Sequence, residues 1–210
     1  VAGIVLAKEL LPHFNNIALV ESGDSTYSKE TQSLYSPEIK PDLYPDPATS
    51  RLRMLGGTSN HWENGTEPLD PIDFEKRDWV DNSGWPIGYS DISDYYLKAA
   101  EYCGVGKSGY NLQEWVKTLN VKDLFSESNL IESGIQKDSV PPTRFFEKYG
   151  KDLNDSDNLT IYKNANVTDL FYEKDSSKVK SINFESFKKI NQTLSADIFI
   201  MCFGGIENAR

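Results

Sequence analysis

The sequence predicts an α/β fold in which inserted segments interrupt a parallel sheet. Three observations support this prediction: a helix followed by a short apolar strand at the start, alternating strands late in the chain, and an apolar run that ends in two glycines. The alternating strands predict antiparallel pairing, so α+β elements are inserted into the α/β frame. With 210 residues the chain can bury a core, and one domain that carries an insertion is the simplest organisation.

The charge balance excludes some classes of partner. The chain has 22 basic and 32 acidic residues and a net charge of −10, which repels phosphate backbones and anionic membrane surfaces. We therefore expect no nucleic-acid partner. The longest apolar runs, residues 4–7 and 198–203, are too short to cross a bilayer, so no transmembrane segment is expected. Cys103 and Cys202 form no metal-binding or redox pattern, and no metal site is expected.

The first element is a helix, VAGIVLAKELL, which begins at or near Gly3 and has its apolar residues on one side. The run IALVESGD follows after a turn and is typical of a buried parallel strand that ends in an acid, Glu21. A glycine-led helix and an acid-tipped strand form the second half of a dinucleotide-binding βαβ unit. Gly3 would be the third glycine of G-x-G-x-x-G, eighteen residues before Glu21. An unrelated helix and strand are the alternative.

This interpretation places the first strand and the first two fingerprint glycines upstream of Val1, so we expect the chain to be a fragment. Residues 24–50 contain four prolines and no sustained period, and they predict an irregular excursion. A short helix is expected near Phe74. A further helix is expected to be capped by Ser90 or Asp91 and closed by Gly104. The region of about residues 75–150 is predicted to be an irregular or helical insertion.

The late elements return to strands. Residues 158–187 alternate with a period of two, and Asp175-Ser176-Ser177 is expected to form a turn between antiparallel strands. The stretch ADIFIMCFGGIENAR then predicts a strand, a turn at Gly204 and Gly205, and the start of a helix. Glycines at such a turn leave backbone N–H groups accessible to an anionic or polar ligand, although a simple strand-to-helix turn is the alternative.

The segment LGGTSNHWENG, residues 55–65, is the least ordinary part of the sequence. Gly56 and Gly57 have no side chains, so their amides can contact an anionic or planar ligand directly. Thr58 and Ser59 add small hydroxyl groups. Asn60, His61 and Trp62 follow at once, which places an imidazole and an indole beside that ligand.

In these motifs the chain resembles the glucose-methanol-choline (GMC) flavoprotein oxidoreductases over essentially its whole length. The matching stretches, in the order of that family, are VAGIVLAKEL with IALVESG, GGTSNHW, PLDPIDFEKRDWV with SGWPIGYSDISDYY, PPTRF, NANVTDL and FGGIENAR. Each stretch alone is modest, and the shared order makes the signal specific. The resemblance implies that residues 1–210 are part of an FAD-binding Rossmann-like domain, incomplete at both ends, with a partial antiparallel sheet.

The resemblance also implies roles for individual residues. Gly3 would lie under the FAD pyrophosphate, and Glu21 would accept hydrogen bonds from the adenosine ribose. Gly56, Gly57, Thr58 and Ser59, with Asn60 and Trp62 beside them, would line the pyrophosphate and the isoalloxazine. The main chain of Val167 would hold the adenine, and Gly204 and Gly205 would close on the FAD from the sheet.

His61 is the most specific residue in this resemblance. Gly56 to His61 match the pattern G-G-x-S-x-H, in which some members attach FAD covalently through the histidine, whereas other members make a non-covalent contact. A neutral imidazole satisfied by backbone partners is the remaining alternative for His61. The chain has one other histidine, His13, which is expected on the first helix.

The implied reaction is hydride transfer from the CH–OH group of an alcohol or sugar to flavin N5. The base that accepts the hydroxyl proton is a histidine in the carboxy-terminal part of the family, so we expect no catalytic residue in this chain. Two other functions remain open: a flavin- or nucleotide-binding module without chemistry of its own, and an NAD-dependent dehydrogenase, whose ribose Glu21 would suit equally well. The electron acceptor is not indicated by the sequence.

Overall fold

The computed structural model describes residues 1–36 and 45–209 and combines helices and strands in two compact units. Val1–His61 and the chain from Arg144 onward form the first unit, and Trp62–Thr143 form the second. The described helices are α1 (Ala2–Leu10), α2 (Lys29–Gln32), α3 (Pro47–Ser50), α4 (Pro71–Phe74), α5 (Tyr89–Ile92), α6 (Tyr96–Cys103), α7 (Leu112–Leu119), α8 (Phe145–Asn154) and α9 (Gly205–Ala209). The described strands are β1 (Ile17–Val20), β2 (Leu159–Tyr162), β3 (Asn166–Tyr172), β4 (Val179–Glu185) and β5 (Asn191–Ser195).

The predicted first helix is confirmed. It buries Ile4 and Ala7, which lie one turn apart on the same face, as the apolar spacing of the sequence requires. Helix α8 of the same unit buries Phe145 and Leu153. An ion pair joins α1 to α8, in which Lys8 Nζ lies 2.7 Å from Asp152 Oδ2.

Strand β1 is also confirmed, and it pairs in parallel with β2 from Ile17↔Leu159 to Val20↔Tyr162. Two details of the prediction are wrong. The segment that became β2 was expected in the antiparallel region, but it pairs with β1 instead. In addition, β1 is half-buried rather than buried, and Ala18 is exposed. Among the described strands β2 is its only neighbour, so the other edge of β1 has no described strand paired with it.

The antiparallel region is confirmed as the three-stranded sheet β3-β4-β5. The predicted turn joins β3 to β4, and Asp175 adopts the left-handed conformation there (φ +59°). Strand β5 was not predicted, because its polar sequence NQTLS shows little alternation. The buried side chains of Ala165, Ile182 and Phe184 form the core of this region, and Val20 of β1 packs against it.

The predicted strand at residues 198–203 is not present in the described chain, because this apolar run makes no ladder. Ile198 and Ile200 remain 62% and 53% exposed. An apolar run becomes a strand only when its backbone N–H and C=O groups find a neighbouring strand. The helix predicted after Gly204 is confirmed as α9.

The second unit, Trp62–Thr143, contains the predicted short helix at Phe74 as α4. The expected cap at Ser90 or Asp91 is wrong, because α5 begins after Gly88. Asp91 lies inside the helix, and its Oδ2 accepts a hydrogen bond from the Gly88 N–H at 2.8 Å. Gly104 closes α6 as predicted, in the left-handed conformation (φ +76°).

The excursion of residues 24–50 is less irregular than predicted, because its described part contains α2, a 3₁₀ turn at Ser33–Tyr35 and α3. Residues 37–44 of this excursion lie outside the described residues. The sequence placed the insertion at about residues 75–150, whereas the second compact unit runs from Trp62 to Thr143. Within residues 1–36 and 45–209, none of the helices has the length and hydrophobicity needed to span a bilayer.

Candidate functional site

The carboxyl end of β1 is the anchor of the candidate site. The Glu21 N–H donates to the Tyr162 carbonyl at 2.9 Å, and the Glu21 carbonyl accepts from the Ala165 N–H at 3.0 Å. Glu21 Oε1 accepts from the Gly23 N–H at 2.8 Å and from Ser22 Oγ at 3.3 Å. A carboxylate offers about four lone-pair sites. Because both described side-chain hydrogen bonds reach Oε1, Oε2 is available to hydroxyl groups of a ligand.

Gly3 lies where helix α1 passes close to the sheet. A Cβ atom at Gly3 would lie 3.3 Å from Leu19 Cδ1 and 3.6 Å from Cys202 Cβ. This close helix–strand approach is the role of the third glycine in a dinucleotide fingerprint. Because Gly3 faces Leu19, the first turn of α1 and the Glu21 end of β1 lie at the same edge of the sheet.

Gly23 attaches the segment before the double glycine to this edge. A Cβ atom at Gly23 would lie 2.6 Å from Met54 Cα and 2.8 Å from the Arg53 carbonyl carbon. The Leu55 N–H donates to the Asp24 carbonyl at 3.0 Å, and Leu55 itself is buried. The segment leading to Gly56 therefore begins directly at the carboxyl end of β1.

The double glycine forms a tight turn that only glycine adopts without strain. Gly56 and Gly57 both have positive φ, at +88° and +55°, and a 3₁₀ turn follows over Gly57–Asn60. A Cβ atom at Gly56 would also lie 3.0 Å from Asn60 Nδ2 and 3.3 Å from the Phe146 backbone nitrogen. Both the conformation and the space around Gly56 therefore require glycine.

Ser59 and Asn60 use their side chains to hold this turn together. Buried Ser59 Oγ donates to the Gly56 carbonyl at 2.7 Å. Asn60 Nδ2 donates to the carbonyls of Leu55 and Gly57 at 3.0 and 2.8 Å. The guanidinium of Arg144, the residue directly before α8, donates to the Ser59 carbonyl at 2.8 Å. The turn is thus preorganised by its own side chains, and any cofactor contact of Ser59 and Asn60 stays a prediction.

Only a few groups of this turn are left for a ligand. The Gly57 N–H donates to the Met54 carbonyl at 2.7 Å, and the His61 N–H donates to the Thr58 carbonyl at 3.1 Å. The N–H groups of Gly56 and Thr58 have no hydrogen-bond partner within the described chain. The side chains of Thr58 and His61 are exposed. Gly56 itself is buried, so the groups that the turn can offer to a bound molecule are the Thr58 amide and hydroxyl and the His61 imidazole.

Two predicted residues lie on other elements. Trp62 is the first residue of the second unit, where its indole Nε1 donates to the Thr143 carbonyl at 2.8 Å. Val167 lies half-buried on β3, opposite Phe184. Val167 is two residues beyond Ala165, whose N–H binds the Glu21 carbonyl, so the start of β3, although it belongs to the other sheet, lies close to the backbone of Glu21.

Gly204 and Gly205 lie beside the segment that leads to the double glycine. Gly204 has positive φ (+84°), and a Cβ atom there would lie 3.6 Å from an Arg51 guanidinium nitrogen. A Cβ atom at Gly205 would meet nothing within 4 Å, so there is open space at the start of α9. The Arg53 guanidinium forms an ion pair with Glu207 of α9 at 3.4 Å.

Three side chains of this region were not predicted: Tyr35, Arg53 and Arg144. Arg53 lies over the Tyr35 ring, 4.3 Å from its centroid. Burial raises the pKa of Tyr35, and the charges of Arg53, Glu21, Glu207 and Arg51 also act on its hydroxyl group. The sequence signal was the pair of arginines in RLR, two positions apart and ending three residues before Gly56.

The Asp24 carboxylate makes the stability of the fold near the carboxyl end of β1 depend on pH. Its carboxylate binds Lys163 Nζ at 2.7 Å, the Ser25 N–H at 2.6 Å and Asn164 Nδ2 at 3.2 Å. The Lys163 hydrogen bond, followed by that of Ser25, holds the pKa of Asp24 well below its usual range. The resulting stabilisation is present above the unfolded-state pKa of about 3.9 and is lost as the pH falls through the folded-state pKa.

We therefore expect the melting temperature of the native protein to exceed that of Asp24→Asn at pH 6, and this difference to shrink between about pH 4 and pH 2. Thermal unfolding of both proteins across this range measures it. The effect is modest because the ion pair is partly exposed to solvent. A difference that stays constant down to pH 2 would contradict the assignment.

Two cavities, of about 360 and 240 Å³, lie in the second unit, one beside α6 and one beside α7. The turn at Gly56 to His61 lines neither of them. The candidate site is therefore defined by close backbone packing and unpaired amides at the edge of β1. In comparisons with known proteins, no protein-family model and no curated protein matches this sequence.

Proposed function

We propose that the chain is the FAD-binding part of an oxidoreductase of the GMC type that oxidises the CH–OH group of an alcohol or sugar. One observation carries this proposal: the glycine contacts of Gly3 and Gly23 bring the first turn of α1, Glu21 and the start of the double-glycine segment to one sheet edge. A dinucleotide extends across such an edge at the carboxyl ends of parallel strands. Within the α/β class, we accordingly propose a Rossmann-like domain.

The residues at this edge fit a flavin dinucleotide. Glu21 Oε2 suits the ribose hydroxyls, and the N–H group of exposed Thr58, unpaired within the described residues, suits a phosphate or flavin oxygen. The open space at Gly205 permits close approach of a ligand to the backbone. We assign the adenine to the main chain at Val167, because this strand start adjoins the Glu21 backbone.

When bound, FAD would supply the hydride acceptor for oxidation of the substrate carbinol. The residues of this chain would bind the cofactor, exclude water from it and fix its orientation. Ser59, Asn60 and Arg144 support this role, because they hold the carbonyls of the turn and so keep its amides in one arrangement. We expect the base and the substrate pocket to lie outside the residues described.

Spectroscopy of the purified full-length protein tests the proposed function. We expect the absorption spectrum of an oxidised flavin, and we expect a panel of primary alcohols and sugars to bleach it under anaerobic conditions. Riboflavin-depleted cells provide the matched colourless control. A protein that stays colourless and instead forms NADH from NAD and these substrates would show that the alternative, an NAD-dependent dehydrogenase, is correct. A bound flavin that no CH–OH compound reduces would favour the non-catalytic module.

A further inference from the structure

Two arginines next to the double glycine point toward the same part of the structure. Arg51 and Arg53 are two residues apart in the irregular segment that follows α3, and Arg51 has an extended backbone. An Arg51 guanidinium nitrogen lies 3.6 Å from the position that a Cβ atom of Gly204 would take, and Arg53 forms its ion pair with Glu207. Both guanidinium groups therefore lie along the first turn of α9, beside the open space at Gly205.

The Arg53 side chain is largely covered by its neighbours, and its side-chain hydrogen bonds are long. Its side chain is 11% exposed, and its contacts with Ser22 Oγ and Glu207 Oε1 are both 3.4 Å long. Charge-assisted hydrogen bonds to a carboxylate are normally about 2.7–2.9 Å long. The buried Nε atom of Arg53 has no hydrogen-bond partner within the described residues. A guanidinium has five N–H donors, so Arg53 keeps donor capacity that its neighbours do not use.

The position of Arg53 is nevertheless well defined. The Tyr35 ring stacks against the guanidinium at 4.3 Å, which orients its plane without consuming an N–H donor. A buried cation with long contacts is stabilised when a better-matched anion approaches it. Phosphate oxygens match the planar fork of a guanidinium in a bidentate manner. The ligand chemistry that suits this arrangement is therefore a phosphorylated group that enters at the start of α9.

We propose that Arg53, with Arg51 beside it, binds the diphosphate of the dinucleotide, and that the Glu207 carboxylate occupies the anion position when the dinucleotide is absent. This proposal rests on the proposed function. If Glu207 were only part of a structural ion pair, neutralising it would weaken ligand binding or leave it unchanged. The proposal predicts that neutralising Glu207 tightens ligand binding, because Arg53 is then free for the ligand. Tyr35 is a positioning residue, since it acts through Arg53.

The test measures binding of ADP, FAD and riboflavin to the flavin-free full-length protein by titration calorimetry. We expect Arg53→Gln to weaken ADP and FAD binding roughly tenfold, and Glu207→Gln to tighten both severalfold. Riboflavin lacks phosphate, so its affinity should not change in either variant. Lys8→Gln and Asp152→Asn form the matched control, because they remove the same charges from the ion pair between α1 and α8.

The proposal would be overturned if Arg53→Gln and Glu207→Gln changed the ADP and FAD affinities in the same direction. It would also be overturned if their effects were no larger than those of the control pair. If Arg53→Gln does not fold, Arg53→Lys and Glu207→Gln carry the same test, because lysine keeps the charge and loses the fork. If the proposed function itself were wrong, the result would be different, because FAD and riboflavin would then bind to none of the proteins. ADP binding that still depends on Arg53 in that case would support the anion subsite alone.

Discussion

Replacing Gly23 by alanine is expected to lower the free energy of unfolding by about 3 kcal/mol, near the upper end for overpacking a tight contact. The added Cβ would overlap the Arg53 carbonyl group and Met54 Cα, at 2.6 Å from the latter. These are backbone atoms, so no side-chain rotation can relieve the contact. Gly23 has no positive φ, and the expected loss is therefore purely steric.

The loss has a functional consequence, because the same contact attaches the double-glycine segment to the carboxyl end of β1. We expect Gly23→Ala to lower both the melting temperature and the flavin content of the purified full-length protein. For a chain of this size, 3 kcal/mol corresponds to roughly 6–12 °C. Differential scanning calorimetry and the flavin-to-protein absorbance ratio measure the two effects.

Gly134→Ala is the matched control for this substitution. A Cβ atom at Gly134 would meet nothing within 4 Å, and this residue also lacks a positive φ. We expect that variant to melt within about 1 °C of the native protein, as surface substitutions usually do. If Gly23→Ala melted at the same temperature as Gly134→Ala, the close approach of Gly23 to Arg53 and Met54 would be wrong.

The elements predicted correctly from the sequence are those specified by local patterns. Helix α1 follows from its apolar spacing, the turn at Asp175 follows from its residue types, and the end of α6 follows from Gly104. The cap of α5 was misplaced because glycine at position 88 gives no side-chain signal. Asp91 was nevertheless recognised as a capping residue, although its carboxylate caps from inside the helix.

Elements that depend on a distant partner were predicted less well. Strand β2 has the alternation of its antiparallel neighbours, yet it pairs in parallel with β1, about 140 residues earlier in the chain. The apolar run of residues 198–203 was expected to be a strand, but no described strand pairs with it. Periodicity indicates that a segment can form a strand, whereas pairing depends on which backbone lies beside it.

In the candidate site, too, features set by local sequence were easier to predict than features that depend on distant residues. Glycine and small-residue patterns singled out Gly56 and Gly57 as bare backbone, and the structure adds that both residues adopt positive φ. The internal use of the Ser59 and Asn60 side chains could not be predicted, because it depends on carbonyls whose positions are fixed only by the fold. The role of Arg144 has the same origin, since α8 brings it to the Ser59 carbonyl from 85 residues away.

Replacing His61 by alanine is expected to abolish retention of flavin by the denatured protein. His61 follows the 3₁₀ turn directly, its side chain is exposed, and its N–H is held by the Thr58 carbonyl. The backbone of His61 is therefore fixed while its imidazole remains accessible to a cofactor on the turn. A covalent bond between this imidazole and the flavin survives acid precipitation, whereas hydrogen bonds and stacking contacts are lost when the protein unfolds.

The measurement is the flavin absorbance of the precipitate and of the supernatant after acid treatment of the full-length protein. We expect flavin in the native precipitate and, for His61→Ala, all of it in the supernatant. His13→Ala is the matched control, since His13 is the other histidine of this chain and follows α1, and it should retain its flavin like the native protein. Flavin in the native supernatant would show that the attachment is non-covalent. That result would leave the proposed oxidoreductase intact, because the Thr58 amide and the Glu21 carboxylate can hold the cofactor without a bond to His61.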